Sequence, residues 1–180
     1  MQIGTYISSL RRLRSWHRMA GITLAALLLI SALTGIFLAF KKEVDFLQPP
    51  VRRGQSESLN SWMPLDHLAF KAEQHLKEMR PETSNAQIDR IDVRPDKGIA
   101  KILFDQGYWE VQIDGTSGEV LSVARRHSDW IEAIHDGSII SDTFKLISMN
   151  FLGFGLIALI TSGLWLWYGP RKIRALKKRQ

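Results

Sequence analysis

Two long stretches without a charged residue constrain this chain more than any other feature. Residues 19–40 are 22 consecutive uncharged positions, and residues 146–170 are 25 more. Wound as α-helices at 1.5 Å per residue they extend roughly 33 and 37 Å, enough to cross a hydrocarbon core of about 30 Å. The whole-chain hydrophobic content of 45% is that of an ordinary soluble protein, because a polar middle dilutes the two runs. The pattern predicts a two-pass membrane protein whose first partner is the lipid bilayer.

Charge then assigns sides. Residues 1–40 carry four arginines and no acid, and residues 146–180 carry six basic residues and no acid. The middle holds the other 14 basic residues and all 18 acidic ones, leaving it at −4 within a total of +6. Basic residues flanking a span stay on the cytoplasmic side, so both termini are expected there, in a bacterial inner (plasma) membrane, with the middle extracytoplasmic. The basic excess is confined to two membrane flanks, where topology and headgroups account for it, so nucleic acid is not an expected partner. The first run exceeds a signal-peptide core, and no small-residue cleavage site precedes Lys41-Lys42. There are no cysteines, which excludes disulfides, thiolate metal sites and cysteine nucleophiles. Trp16, Trp165, Trp167 and Tyr168 fall at the cytoplasmic edges of the spans, the depth that amphipathic rings favour.

Read along the chain, the segments are a basic amphipathic stretch 1–18, a first span 19–40, a linker 41–60, an extracytoplasmic domain 61–127, a juxtamembrane helix 128–145, a second span 146–168 and a basic tail 169–180. Within the domain, Leu65, Leu68, Ala69, Ala72, Leu76 and Met79 recur at helical spacing between Pro64 and Pro81. Four short runs, 87–94, 99–104, 108–113 and 119–124, read as strands separated by Pro95-Asp96-Lys97-Gly98 and by a Gly-rich turn after Asp114. The fold class is membrane α+β: two transmembrane helices flanking one helix packed on a small antiparallel sheet.

The run Tyr108-Trp109-Glu110-Val111-Gln112-Ile113-Asp114, followed by Thr116-Ser117-Gly118-Glu119-Val120-Leu121, resembles the hairpin of PepSY domains, with Ser117 standing between the Thr and Gly of that pattern. Trp16-His17-Arg18, Leu33-Thr34-Gly35 and the apolar run from Leu146 to Trp167 are similar to PepSY-associated transmembrane helices. His135-Asp136-Gly137 matches the element before the later helix, and a second Thr-Gly is split as Thr161-Ser162-Gly163. Larger relatives include bis-histidine haem proteins linked to ferric-siderophore reduction. The resemblance therefore implies haem b, with His17 and His135 as axial ligands to its iron, and a part in transmembrane electron transfer for iron reduction or uptake. PepSY domains also resemble inhibitory or chaperone-like modules, which implies the alternative of a non-catalytic anchor whose domain binds a partner protein.

Topology restricts the haem reading. His17 is at the cytoplasmic end of the first span and His135 precedes the second on the other side, about 30 Å of hydrocarbon away. Two ligands of one iron stand only about 4 Å apart. One protomer thus cannot complete a bis-histidine centre. A two-fold homodimer pairs each histidine with its mate, and Ser31/Gly35 and Ala158/Ser162 offer small residues for close helix approach, or for packing the two spans on each other. His67 and His75 lie about 80° apart around one helix, a poor chelating angle. No nucleotide, flavin, H-E-x-x-H or G-x-S-x-G pattern occurs, so no catalytic residue is named and enzymatic activity stays open.

Overall fold

The computed structural model describes residues 3–177; Met1, Gln2, Lys178, Arg179 and Gln180, in the expected basic ends, lie outside the described residues. The elements run α1 (Ile3–Ala39), α2 (Leu65–Met79), β1 (Ile88–Arg94), β2 (Ile99–Phe104), β3 (Trp109–Asp114), β4 (Val120–Arg125), α3 (His127–Asp136) and α4 (Asp142–Lys177). They form two compact units: the two long helices up to Gly35 and from Ala133 onward, and the segment Ile36–Glu132.

In the helical unit α1 and α4 are each long and apolar enough to cross a membrane. They run antiparallel, because contacts that move forward on one move backward on the other. Leu10 lies at Gly169, His17 at Gly163, Leu24 at Gly155. The glycines make this closeness possible. A Cβ built at Gly155 or Gly169 would sit 2.5 or 2.7 Å from the facing leucine, so small residues here let one helix seat the other's large side chains. The basic residues from Arg171 to Lys177 continue the same helix, with Pro170 inside it. The stretch expected as one juxtamembrane helix, 128–145, is two pieces. α3 ends at Asp136, Gly137 takes a left-handed φ of 83°, and Ser141 caps the start of α4 by accepting from the Phe144 N–H.

In the second unit the four strands form an antiparallel meander in the order β1-β2-β3-β4. One face packs Ala100, Ile102, Val111 and Ile113 on Leu68, Ala72 and Leu76 of α2, the apolar stripe that the helical spacing marked. The other face is not solvent. Every residue of β2 and β3 is buried on one side or the other, including Lys101, Glu110, Gln112 and Asp114.

The cover is the stretch expected as a polar linker, and that expectation is corrected here. Residues around 47–56 lie along the sheet as a strap: Arg52 N–H donates to Gln112 Oε1 at 2.8 Å, Gln112 Nε2 donates to Pro50 O, and Gly54 N–H donates to Lys97 O. Gly54 passes so close to Gly98 that a Cβ would collide with its carbonyl. The strap uses backbone groups for these bonds, which is why its side chains are free to be polar.

Candidate functional site

Both histidines singled out from the sequence are half-buried in the helical unit, and each is held by the other long helix. His17, on α1, has its Nδ1 2.7 Å from Ser162 Oγ on α4, with Gly163 alongside. His135, in the last turn of α3, has its Nδ1 2.9 Å from Thr34 Oγ1 on α1, and a Cβ on Gly35 would stand 3.4 Å from its ring. The two sites share one plan: an imidazole facing a hydroxyl residue followed by glycine. The hydroxyl anchors the ring, and the glycine after it lies alongside at a distance a Cβ would fill with ordinary contact.

The hydroxyls are also within bonding reach of their own helices' carbonyls. Ser162 Oγ donates its one hydrogen to the carbonyl four residues back, Ala158 O, at 2.6 Å, and Thr34 Oγ1 likewise donates to Ile30 O at 2.7 Å. In the tautomer that carries its hydrogen on Nδ1, each hydroxyl oxygen accepts from the ring and each Nε2 presents a lone pair. That is the arrangement in which histidine serves as a metal ligand, one nitrogen oriented by a hydrogen bond and the other coordinating.

The two rings do not meet. Thr34 is 17 residues beyond His17 on one uninterrupted helix, which is about 25 Å. Beside His17 a lateral groove of about 600 Å³ is walled by Trp16, Ala20, Ala158, Thr161, Ser162 and Trp165 among others. Its lining is aromatic, aliphatic and hydroxyl, with alanines widening it at the centre. Gly35 and Ser162, considered for a dimer seam, instead contact the histidines of their own protomer, because antiparallel packing turns them toward the neighbouring helix. Among the described residues no group of three or more His, Asp or Glu side chains converges as a metal site.

His135 owes its position to the turn that follows. Asp136 accepts from Ser138 N–H at 2.9 Å and pairs with Lys145. Burial pushes its carboxyl up, but the bonds from Lys145 and Ser138 outweigh that and hold it below the usual carboxylate range. A Cβ on Gly137 would press on Ser148 and Phe144. The motif His135-Asp136-Gly137 is thus a ligand candidate, a turn clamp and a left-handed corner in succession. His67 and His75 are both on α2, and His127 stacks on Phe46 with ring centroids 4.3 Å apart.

Sequence reasoning missed a buried ion cluster on the strapped face of the sheet. Glu110, whose side chain is fully buried, accepts from Lys101 Nζ at 3.1 Å, Arg126 Nη1 at 3.1 Å and Gln112 Nε2 at 2.8 Å. Arg126 continues to Asp129 at 3.0 Å. At the turn, Asp114 Oδ1 accepts from the Thr116 and Ser117 N–H groups, and Oδ2 accepts from Gln55 N–H at 2.6 Å. Burial raises the Asp114 carboxyl, yet those backbone donors together hold it below its ordinary value.

Two apolar helices flanking a helix-on-sheet domain, with histidines set at the helix-helix contacts, define a membrane-anchored α+β protein. The chain belongs to the PepSY-associated transmembrane region family, whose profile matches residues 14–180. Comparison with curated proteins gives no match, and comparison with solved structures gives none.

Proposed function

We propose that this protein contributes to electron transfer across the bacterial inner membrane, for the reduction or uptake of ferric iron or a ferric siderophore, through haem b held by His17 and His135 in a two-fold dimer. The observation that carries the reading is the pair of imidazoles each bonded to a hydroxyl through Nδ1, one where α1 meets α4 and one where α3 meets α1. The residues fit the group: neutral nitrogen donors, an apolar groove with aromatic walls beside His17, and no competing charge among that groove's lining residues. Bound haem supplies one-electron chemistry at its iron. The chain's part is to orient each ring through Ser162 or Thr34, and to exclude water beside His17 with Trp16 and Trp165. A protomer provides one ring at each level, so a second copy completes each pair. The charge distribution supports cytoplasmic termini and an extracytoplasmic domain.

A second reading, an anchored module that binds a partner protein, is favoured by one feature of the domain. Tyr108 has a positive φ of 54°, a conformation costly for a residue with a side chain. It lines a cleft of about 390 Å³ with Arg125, His127 and the exposed Trp130.

Absorption spectroscopy separates the two. Protein purified from haem-replete cells is expected to show a Soret band that shifts on reduction with dithionite, and His17→Ala or His135→Ala removes part of it. A colourless preparation refutes the haem reading and leaves the binding module. A green fluorescent protein fused after Gln180 fluoresces if that end is cytoplasmic; an active alkaline phosphatase at the same point reverses the assigned sides.

A further inference from the structure

A second, independent site lies where the strap meets the sheet. A cavity of about 220 Å³ is bounded by Lys42, Gln48, Arg94, Asp96, Lys97 and Lys101, with Pro49, Pro50 and Val51 forming its apolar wall. Four cations face one carboxylate there. Lys97 is paired with Asp96 at 3.3 Å and Lys101 with Glu110. Lys42 and Arg94 are in no ion pair among the described residues. Gln48 contributes a buried Oε1 that accepts no hydrogen bond, a costly omission unless a ligand donor fills it. The cavity thus asks for an anion and, next to it, a hydroxyl or amine hydrogen.

We propose that this cavity binds the headgroup of an anionic phospholipid with a free hydroxyl, phosphatidylglycerol being the simplest: the phosphodiester lies among Lys42, Arg94 and Lys97, and a glycerol hydroxyl donates to Gln48 Oε1. Lys42 is two residues past Phe40, the last residue of the first apolar run, a chain reach of at most about 7 Å. This places the cationic mouth at headgroup depth, and the volume suits a headgroup rather than an acyl chain. A bound headgroup ties the strap to the membrane surface on the side of the sheet.

The test is native mass spectrometry of the full chain in detergent, titrated with short-chain phosphatidylglycerol, phosphatidic acid or phosphatidylcholine, or with glycerol 3-phosphate. Phosphatidylglycerol is expected to bind and phosphatidylcholine not. Each basic residue near a membrane surface contributes about a fivefold factor, so Arg94→Ala with Lys97→Ala weakens phosphatidylglycerol about 30-fold. Both side chains are substantially exposed, so the fold tolerates their loss. Gln48→Leu erases the preference for phosphatidylglycerol over phosphatidic acid, which lacks the hydroxyl. Glycerol 3-phosphate binding as tightly as the lipid retains the phosphate site and assigns it to a soluble phosphate ester. Equal binding of phosphatidylcholine, or unchanged affinity in the double variant, overturns the proposal.

Discussion

Replacing Asp114 by asparagine tests whether the strap is held to the sheet as described. Three backbone N–H groups converge on that carboxylate: Thr116 and Ser117 on one oxygen, Gln55 on the other. Asparagine keeps one oxygen for the turn and turns an NH₂ toward Gln55 N–H, donor against donor. The loss is one charge-assisted bond, about 2 kcal/mol. It falls on local opening of the strap near Gln55, whose nearest other ties are the bonds donated by Arg52 N–H, by Gly54 N–H and by Gln112 Nε2 to Pro50 O. Trypsin reads that opening directly, since Arg52 and Arg53 lie in the strap and cleavage needs the backbone released. At about 1.4 kcal/mol per decade, the cleavage rate at Arg52-Arg53 rises about 30-fold, provided that reclosing outruns cleavage. The full chain in detergent suffices, with fragment masses identifying the cut. A rate within twofold of the unsubstituted protein refutes the argument that Asp114 clamps the strap.

Acid should reproduce that effect in the unsubstituted protein. The folded Asp114 carboxyl is held below its ordinary value of 3.8, so its contribution is complete above that pH and disappears as pH falls through the lower folded value. The difference between the parent and Asp114→Asn in hydrogen exchange of the strap amides, a readout that works at acid pH where trypsin does not, is therefore full near neutrality and shrinks on acidification below 3.8; a difference that grows on acidification contradicts the sign. Glu110→Gln leaves Lys101 and Arg126 buried around a neutral amide, and chemical unfolding of the domain is expected to show a loss of about 3–5 kcal/mol, a large part of the 5–15 typical of a domain. Gly137→Ala forces a side chain into a left-handed φ and against Ser148 and Phe144; thermal unfolding in detergent should report a cost of at least about 1–2 kcal/mol.

The spans were legible because nothing but a membrane or a large core tolerates 22 and 25 residues without charge. The hairpin from Trp109 was legible because alternation and a Gly-rich turn are local signals. The strapped face was not. Lys101, Glu110 and Gln112 alternate with apolar neighbours as a solvent-facing row does, and only the three-dimensional return of residues 47–56 buries them. That cover bonds through its backbone, so it leaves no periodic trace in the sequence. The hydroxyl partners of the histidines were hidden differently. Thr34 and Ser162 look like packing residues until the antiparallel register sets each opposite a ring 101 or 145 residues away. The histidines were legible only through resemblance, and their hydroxyl partners only through the fold.

The crossed arrangement of rings and hydroxyls has a consequence for biogenesis. At about 5–20 residues per second, the ribosome adds Ser162 some 7–30 seconds after His17. Throughout that interval the first imidazole has no anchor, whatever the state of the sheet domain. His135, by contrast, emerges when Thr34 is already in place. The site completed last is the one whose imidazole is made first, so a protein truncated before the second span would carry His17 without the serine it bonds to.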